Sequence, residues 1–222
     1  MKRTFLFRGR EYKYFNHWDG STRKTERAVE IPIAIAICDQ HESGRVLEVG
    51  NVLSQYFFFN GPYDVVDKFE KGKGIINCDI EDFQPSYKYD LIISISTLEH
   101  VGWDEDPRDP EKATRVIEKL ENLLNPGGFF VATIPMGYNA YLDNLFRKGT
   151  KLFPEQYYLQ RSLRWPNWKE VSLEDILERG HEPLFFLQSS RPYEGPEKEK
   201  WDKIELYYRI ITSLVIGGYH AE

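Results

Sequence analysis

Apolar residues fall in short blocks along this chain, and the spacing within each block separates strands from helices. "RVLEVG" (45–50) is a compact apolar run closed by glycine and reads as a first core strand. "YDVVDKFE" reads as a second strand ending at Asp67, and "GIINCDIEDF" as a third ending near Asp79. "YDLIISISTLEHV" is apolar at most positions, the pattern of a parallel strand covered on both faces. "FFVATIP" is a fifth. Helical spacing is clearest in "PEKATRVIEKLENLLNPGG", where Val116, Leu120, Leu123 and Leu124 share a face and Asn125-Pro126-Gly127-Gly128 stops the helix. Residues 25–41 predict another helix, capped by Thr25, with Pro32 inside it and Gly44 beyond its end. A helix start is expected near Ser54, and "SLEDILERG" predicts a short helix capped by Ser172. Residues 1–24 read as an irregular arm, while "EQYYLQR", "PLFFLQ" and "RIITSLVIGGY" are strand-like.

Strands alternating with helices predict an α/β fold with a doubly wound, mostly parallel sheet. At 222 residues the chain suits one domain spanning 1–222. Within it, 1–43 form the arm and first helix, 44–137 the core, and 138–222 an acceptor-side segment with the final strands. Ligands on such sheets sit at the carboxyl ends of the strands. Here those ends are Gly50, Asp67, Asp79, Ser96 to His100 and Pro135 to Tyr138.

The net charge of -6 and the lack of a long basic run argue against a nucleic-acid partner and for a small-molecule one. Cys38 and Cys78 lie in apolar stretches without metal-binding spacing and read as buried free thiols. The apolar run near the N-terminus is too short for a signal peptide. "IPIAIAIC" falls far below the roughly 20 residues of a membrane span. A cytoplasmic protein without membrane contact is expected; its oligomeric state is not legible.

The strand ends carry a pattern of acids. Asp67 lies seventeen residues past Gly50, about the offset at which an acid accepts from adenosine ribose hydroxyls. Asp79, with Glu81 and Asp82 as rivals, can accept from an adenine amino group while Ile80 packs on the ring. With "VLEVG", "VVDKFE", "NCDIED", "YDLIISISTLEHV" and "LLNPGGFFVATIP" in this order, residues 45–137 resemble the class I S-adenosylmethionine-dependent methyltransferases. The resemblance implies a seven-stranded sheet with an antiparallel last strand, for which "ITSLVIGGY" is the candidate, and S-adenosylmethionine as cofactor. It also implies that Glu48 lies under the methionine part and orients the loop; on the residues alone, a salt bridge from Glu48 to Arg27 in the preceding helix is the alternative. Gly50, Asn51, Ser54, Asp67, Lys68, Asp79, Ile80, Ser96 and Thr97 complete the expected cofactor contacts.

The chain departs from the family in its first loop. "EVGNVLS" holds one glycine where members carry two or three, and Asn51 is expected to take a left-handed conformation in place of another. His100 stands where the transferred methyl group would lie and is the candidate general base, with packing or cofactor contact as the alternative. Asp104, Glu105, Asp106 and Asp109 read as a solvated loop; a carboxylate metal site joined by Asp143 and Asn144 is the lesser alternative, and no metal is expected. Tyr12, Tyr14, Phe15, His17 and Trp18 in the arm, with Tyr138 and Tyr141, are candidates to close over the cofactor. Arg161, Arg164, Trp165 and Trp168 are placed near the acceptor. The expected activity is O-methylation of a small polar acceptor, with a sugar or glycan precursor as the guess. A methyltransferase-like module without turnover is one alternative. A nicotinamide-dependent oxidoreductase is another, weakened by the missing G-x-G-x-x-G.

Overall fold

The computed structural model describes residues 4–18, 22, 25–41, 43–161, 167–178 and 213–220. The N-terminal arm, expected to be irregular, is a hairpin of β1 (Thr4–Phe7) and β2 (Arg10–Lys13). Its two turn residues, Arg8 and Gly9, have φ of 50° and 72°, the pair of positive values that matches the twist of a tight hairpin. Arginine in the first position hid the turn, since asparagine or aspartate is the usual signal there. Phe5 and Phe7 point inward, and Phe5 stacks on Tyr12 at 5.5 Å.

Helix α1 (Arg27–Cys38) follows, with Glu26 rather than Thr25 at its N-cap. Pro32 does not break it. The proline lacks the N–H that would bond to the Ala28 carbonyl, and that carbonyl accepts the Phe15 N–H at 2.9 Å instead. The imperfection thus docks the arm onto the helix.

The main sheet contains β3 (Val46–Val49), β4 (Tyr63–Val66), β5 (Ile75–Ile76), β6 (Tyr89–Ile95), β7 (Leu124–Pro135), β8 (Glu155–Arg161), β9 (Trp168–Val171) and β10 (Ser213–His220). Their order is β5-β4-β3-β6-β7-β10-β8-β9. The five strands β3 to β7 are mutually parallel, and β10 inserts antiparallel between β7 and β8. This is the expected seven-stranded sheet with an antiparallel last strand, extended at one edge by β9. The antiparallel insertion also separates it from the parallel dinucleotide-binding order.

Both faces of β6 are covered, as its apolar run requires. Leu91, Ile93 and Ile95 pack in the cluster that holds Val29 and Ile33 of α1. Ile92 faces Val116 and Leu120 of α2 (Lys112–Asn122), a cluster joined by Leu142 and Phe146 of α3 (Ala140–Arg147) and Ile176 of α4 (Leu173–Glu178). Ser172 caps α4, accepting the Asp175 N–H at 3.1 Å.

Two boundaries move. Leu124 belongs to β7 rather than to the preceding helix, because its backbone pairs with Tyr89. No helix starts at Ser54; a single 3-10 turn, Leu53–Gln55, lies between β3 and β4. "PLFFLQ" lies outside the described residues. No helix among the described residues is long and apolar enough to cross a membrane.

Candidate functional site

The loop after β3 is built on one glycine and one carboxylate. Gly50 has φ 85°, and a Cβ there would fall 2.1 Å from Thr97 Oγ1, so both backbone angle and space demand glycine. Asn51 is not in the left-handed region, contrary to the sequence expectation. Glu48 holds the loop that follows. Its fully buried carboxylate accepts the N–H groups of Val52 at 2.7 Å, Ser54 at 3.1 Å and Leu53, together with the Tyr63 hydroxyl. Burial pushes the Glu48 carboxyl up, and these donors oppose the shift. Arg27 is not its partner; that guanidinium pairs with Glu30 at 2.5 Å.

Gly50, Asn51, Asp67, Lys68, Asp79, Ile80, Ser96, Thr97 and His100 line a single cavity of about 340 Å³ at the carboxyl ends of β3, β4 and β6. Two expected residues do not line it. Glu48 lies behind the loop, and Ser54 donates through Oγ to Asn51 Oδ1 at 2.5 Å. Arg27, Tyr56, Phe69, Glu70, Cys78 and Glu105 also line the cavity and were not anticipated as part of it. Glu105 was legible only as one member of an acidic run, and Glu70 only as the third residue past Asp67.

At the Asp67 end the carboxylate organises its own turn. Oδ1 accepts the N–H groups of Phe69 at 2.8 Å and Glu70 at 2.7 Å, and Oδ2 accepts the Asn51 N–H at 3.1 Å. Asp79 stands in the turn after β5, where Lys112 Nζ approaches its Oδ2 at 2.5 Å and Lys68 Nζ at 2.8 Å. Glu105 binds the same two lysines at 2.8 and 2.9 Å, closing a four-membered ion network with Lys112 almost buried. Burial works against ionisation of Asp79, yet the two lysines outweigh it and hold the carboxyl down at about 2. Ile80 is buried beside it.

At the other end, Ser96 has φ 41° and donates through Oγ to Glu30 Oε1 at 2.6 Å; Thr133 donates to the same oxygen at 2.7 Å. The α1 carboxylate therefore ties the ends of β6 and β7 together. His100 places Nδ1 2.6 Å from Asp104 Oδ2, which also accepts the Tyr138 hydroxyl at 2.7 Å. The Tyr138 ring meets the imidazole edge-on at 4.4 Å. Burial would lower the His100 pKa, but Asp104 and Glu99 outweigh it and raise it above the ordinary value. Glu99 Oε1 is 3.7 Å from His100 Nε2. Glu99 is buried, its Oε2 has no hydrogen-bond partner among the described residues, and burial pushes its carboxyl up to about 8.

Of the arm aromatics, Phe15 and His17 each meet Tyr56 with ring centroids 5.4 Å apart, so the arm reaches the cavity through Tyr56. Trp18 is exposed, whereas Tyr12 and Tyr14 pack on Phe5. Tyr141 packs against the α2-side core. Arg161 and Trp168 are buried and do not line the cavity; Arg164 and Trp165 lie outside the described residues. Asp104 and Asp106 of the acidic run are exposed, as a solvated loop requires, while Asp109 pairs with Arg115 at 2.6 Å. The Asp143 carboxylate accepts the Gly137 N–H at 2.9 Å. Among the described residues no group of three or more His, Cys, Asp or Glu side chains is placed to hold a metal ion.

The donor set fits an adenosyl sulfonium cofactor. Gly50 lets the loop approach Thr97 where a Cβ would collide, acids follow β4 and β5, and no glycine-rich pyrophosphate cradle is present. No protein-family model and no curated protein matches the chain. Among solved structures it is similar to the N-methyltransferase NodS from Bradyrhizobium japonicum in complex with S-adenosyl-l-homocysteine, at 12% identity and TM-score 0.48, over 92% of this chain and 93% of that one. It is also similar to coclaurine N-methyltransferase bound to N-methylheliamine and SAH, at 12% identity and TM-score 0.48, over 93% and 76%. The CcbJ methyltransferase from Streptomyces caelestis matches at 14% identity and TM-score 0.37, over 46% of this chain and only 47% of that one. Such distant likenesses transfer no residue roles. On its own strand order, with β10 antiparallel between β7 and β8, the chain has the class I methyltransferase fold.

Proposed function

We propose that this protein transfers a methyl group from S-adenosylmethionine to a hydroxyl of a small polar acceptor. One observation carries the reading: a single cavity is lined by Gly50, Asp67, Asp79 and Ile80 together with His100, which is braced by Asp104. When bound, the cofactor supplies an electrophilic methyl group on a sulfonium centre. The chain's own work is to position and to move a proton, and positioning carries most of the barrier in such a transfer. Ile80 would pack on the adenine, the loop acids would hold the ribose, and Arg27 would face the carboxylate of the amino-acid end, all three groups being in the cavity lining. His100 donates its Nδ1–H to Asp104, which leaves Nε2 to accept the acceptor's hydroxyl proton. The raised pKa makes it a stronger base, at the cost of remaining protonated to higher pH.

A second reading rests on Glu99. A buried carboxyl group with an unpartnered oxygen beside His100 suits an amine as the acceptor group, the amine giving up its ammonium proton to His100 or Glu99 before its lone pair attacks the methyl group. Incubation with methyl-labelled cofactor and matched panels of alcohols and amines, read by mass spectrometry, tests both. Label in alcohols, lost in His100→Gln with cofactor binding kept, supports the oxygen reading. Label confined to amines favours the second. Cofactor binding without transfer to either panel favours a module without turnover.

A further inference from the structure

We infer that Glu70 takes the ribose hydroxyls of the cofactor, with Asp67 serving mainly to build the turn that presents it. The inference rests on the cofactor reading above and reassigns the acid that does the binding.

A carboxylate has about four lone-pair positions. Three hydrogen bonds already reach Asp67, all from backbone N–H groups: Phe69 and Glu70 on Oδ1, and Asn51 on Oδ2. A cis-diol donates two hydrogen bonds, and it is best met by a carboxylate with both oxygens accessible. Glu70 has that access. It lines the same cavity and is exposed, and the hydrogen bond that its carboxylate receives among the described residues comes from Asn51 Nδ2 at 2.5 Å.

Asn51 joins the two acids. Its backbone N–H goes to Asp67 and its side-chain amide to Glu70, so the loop after β3 fixes the Glu70 carboxylate over the edge of the cavity. The pair Asp67 and Glu70 also sets a charge filter. Two carboxylates at this edge repel a 2′-phosphate, and the neighbouring Lys68 is committed to Asp79 and Glu105. The ligand class that fits is a nucleoside with a free cis-diol.

The test is calorimetric titration of the parent protein, Glu70→Gln and Asp67→Asn with S-adenosylhomocysteine and with its 2′-deoxy analogue, alongside melting temperatures. Glu70→Gln is expected to keep the parent melting temperature, to lose about tenfold or more in S-adenosylhomocysteine affinity, and to lose most of the preference for ribose over deoxyribose. Asp67→Asn is expected to lower the melting temperature. If Glu70→Gln binds both ligands as the parent does, the assignment to Glu70 is overturned while the cofactor reading stands. A parent protein that binds neither ligand overturns both.

Discussion

Thr97 Oγ1 occupies the position that any side chain on residue 50 would need, 2.1 Å from where a Gly50 Cβ would stand. The loop after β3 and the end of β6 therefore meet at van der Waals contact, and one wall of the cavity is set by this approach.

Gly50→Ala is expected to lose about 1–2 kcal/mol from the left-handed backbone alone, with a further loss from the collision. Pairing it with Thr97→Gly relieves the collision and leaves the backbone cost. Urea unfolding of the single and double variants separates the two contributions. Equal stability of Gly50→Ala and the parent would show that the approach is not tight.

Asn51 gives a different pattern, because its backbone is not left-handed. Valine is compatible with that backbone, so Asn51→Val and Asn51→Gly are both expected to lose the side-chain bonds to Ser54 and Glu70, about 1 kcal/mol or somewhat more, with glycine no better than valine. A clear advantage for glycine in melting temperature would restore the idea that asparagine stands in for one.

This loop shows where reading the sequence stopped. Glu48 was legible as the residue that orients "EVGNVLS", but its partners were not: three are loop N–H groups and the fourth donor, Tyr63, comes from the next strand. The parallel strands were legible because burial on both faces leaves an unbroken apolar run, as in β6. The acids at the ends of the loops were legible from their spacing, and they do line the cavity. The β1–β2 hairpin was not, since Arg8 disguises the turn. Nor was the Asp79–Lys112 pair, which joins residues from separate elements and has no local signature.

Lys112→Met is expected to destabilise by about 3 kcal/mol, because it leaves Asp79 and Glu105 with Lys68 as their remaining lysine partner. The sign of the pH effect follows from the depressed Asp79 pKa. Stability from this carboxylate is fully present above its unfolded value near 3.8 and is lost as pH falls toward about 2. The gap between parent and variant in urea unfolding should therefore be widest near neutral pH and shrink in acid. A gap independent of pH would argue that packing, not charge, is what Lys112 supplies.

Glu99 acts in the opposite direction. The unfolded carboxyl ionises near 4.5, whereas the native one holds its proton to about 8, so the parent loses stability as pH rises through that window. Glu99→Gln should flatten this part of the stability–pH curve. The slope will be reduced rather than removed, because Glu26 and Glu48 are raised by burial as well. An unchanged slope would mean that Glu99 is ionised in the native protein.

If His100 is the base, the rate of methyl transfer rises with pH through an apparent pKa above the ordinary histidine value of 6.5, as the protonated imidazole gives up its proton. Asp104→Asn removes the carboxylate bonded to Nδ1 and should shift that limb to lower pH while lowering the maximum. A limb that stays in place would detach Asp104 from the base.

The central claim is that this cavity holds an adenosyl sulfonium cofactor, and binding of S-adenosylhomocysteine to the unmodified protein tests it most directly. At a hundredfold excess over its dissociation constant, a ligand specific for the native state stabilises by about 2.7 kcal/mol. A clear rise in melting temperature with S-adenosylhomocysteine, reproduced by S-adenosylmethionine and absent with NADH, is the predicted result. No shift at millimolar S-adenosylhomocysteine, or a shift with NADH alone, would contradict it.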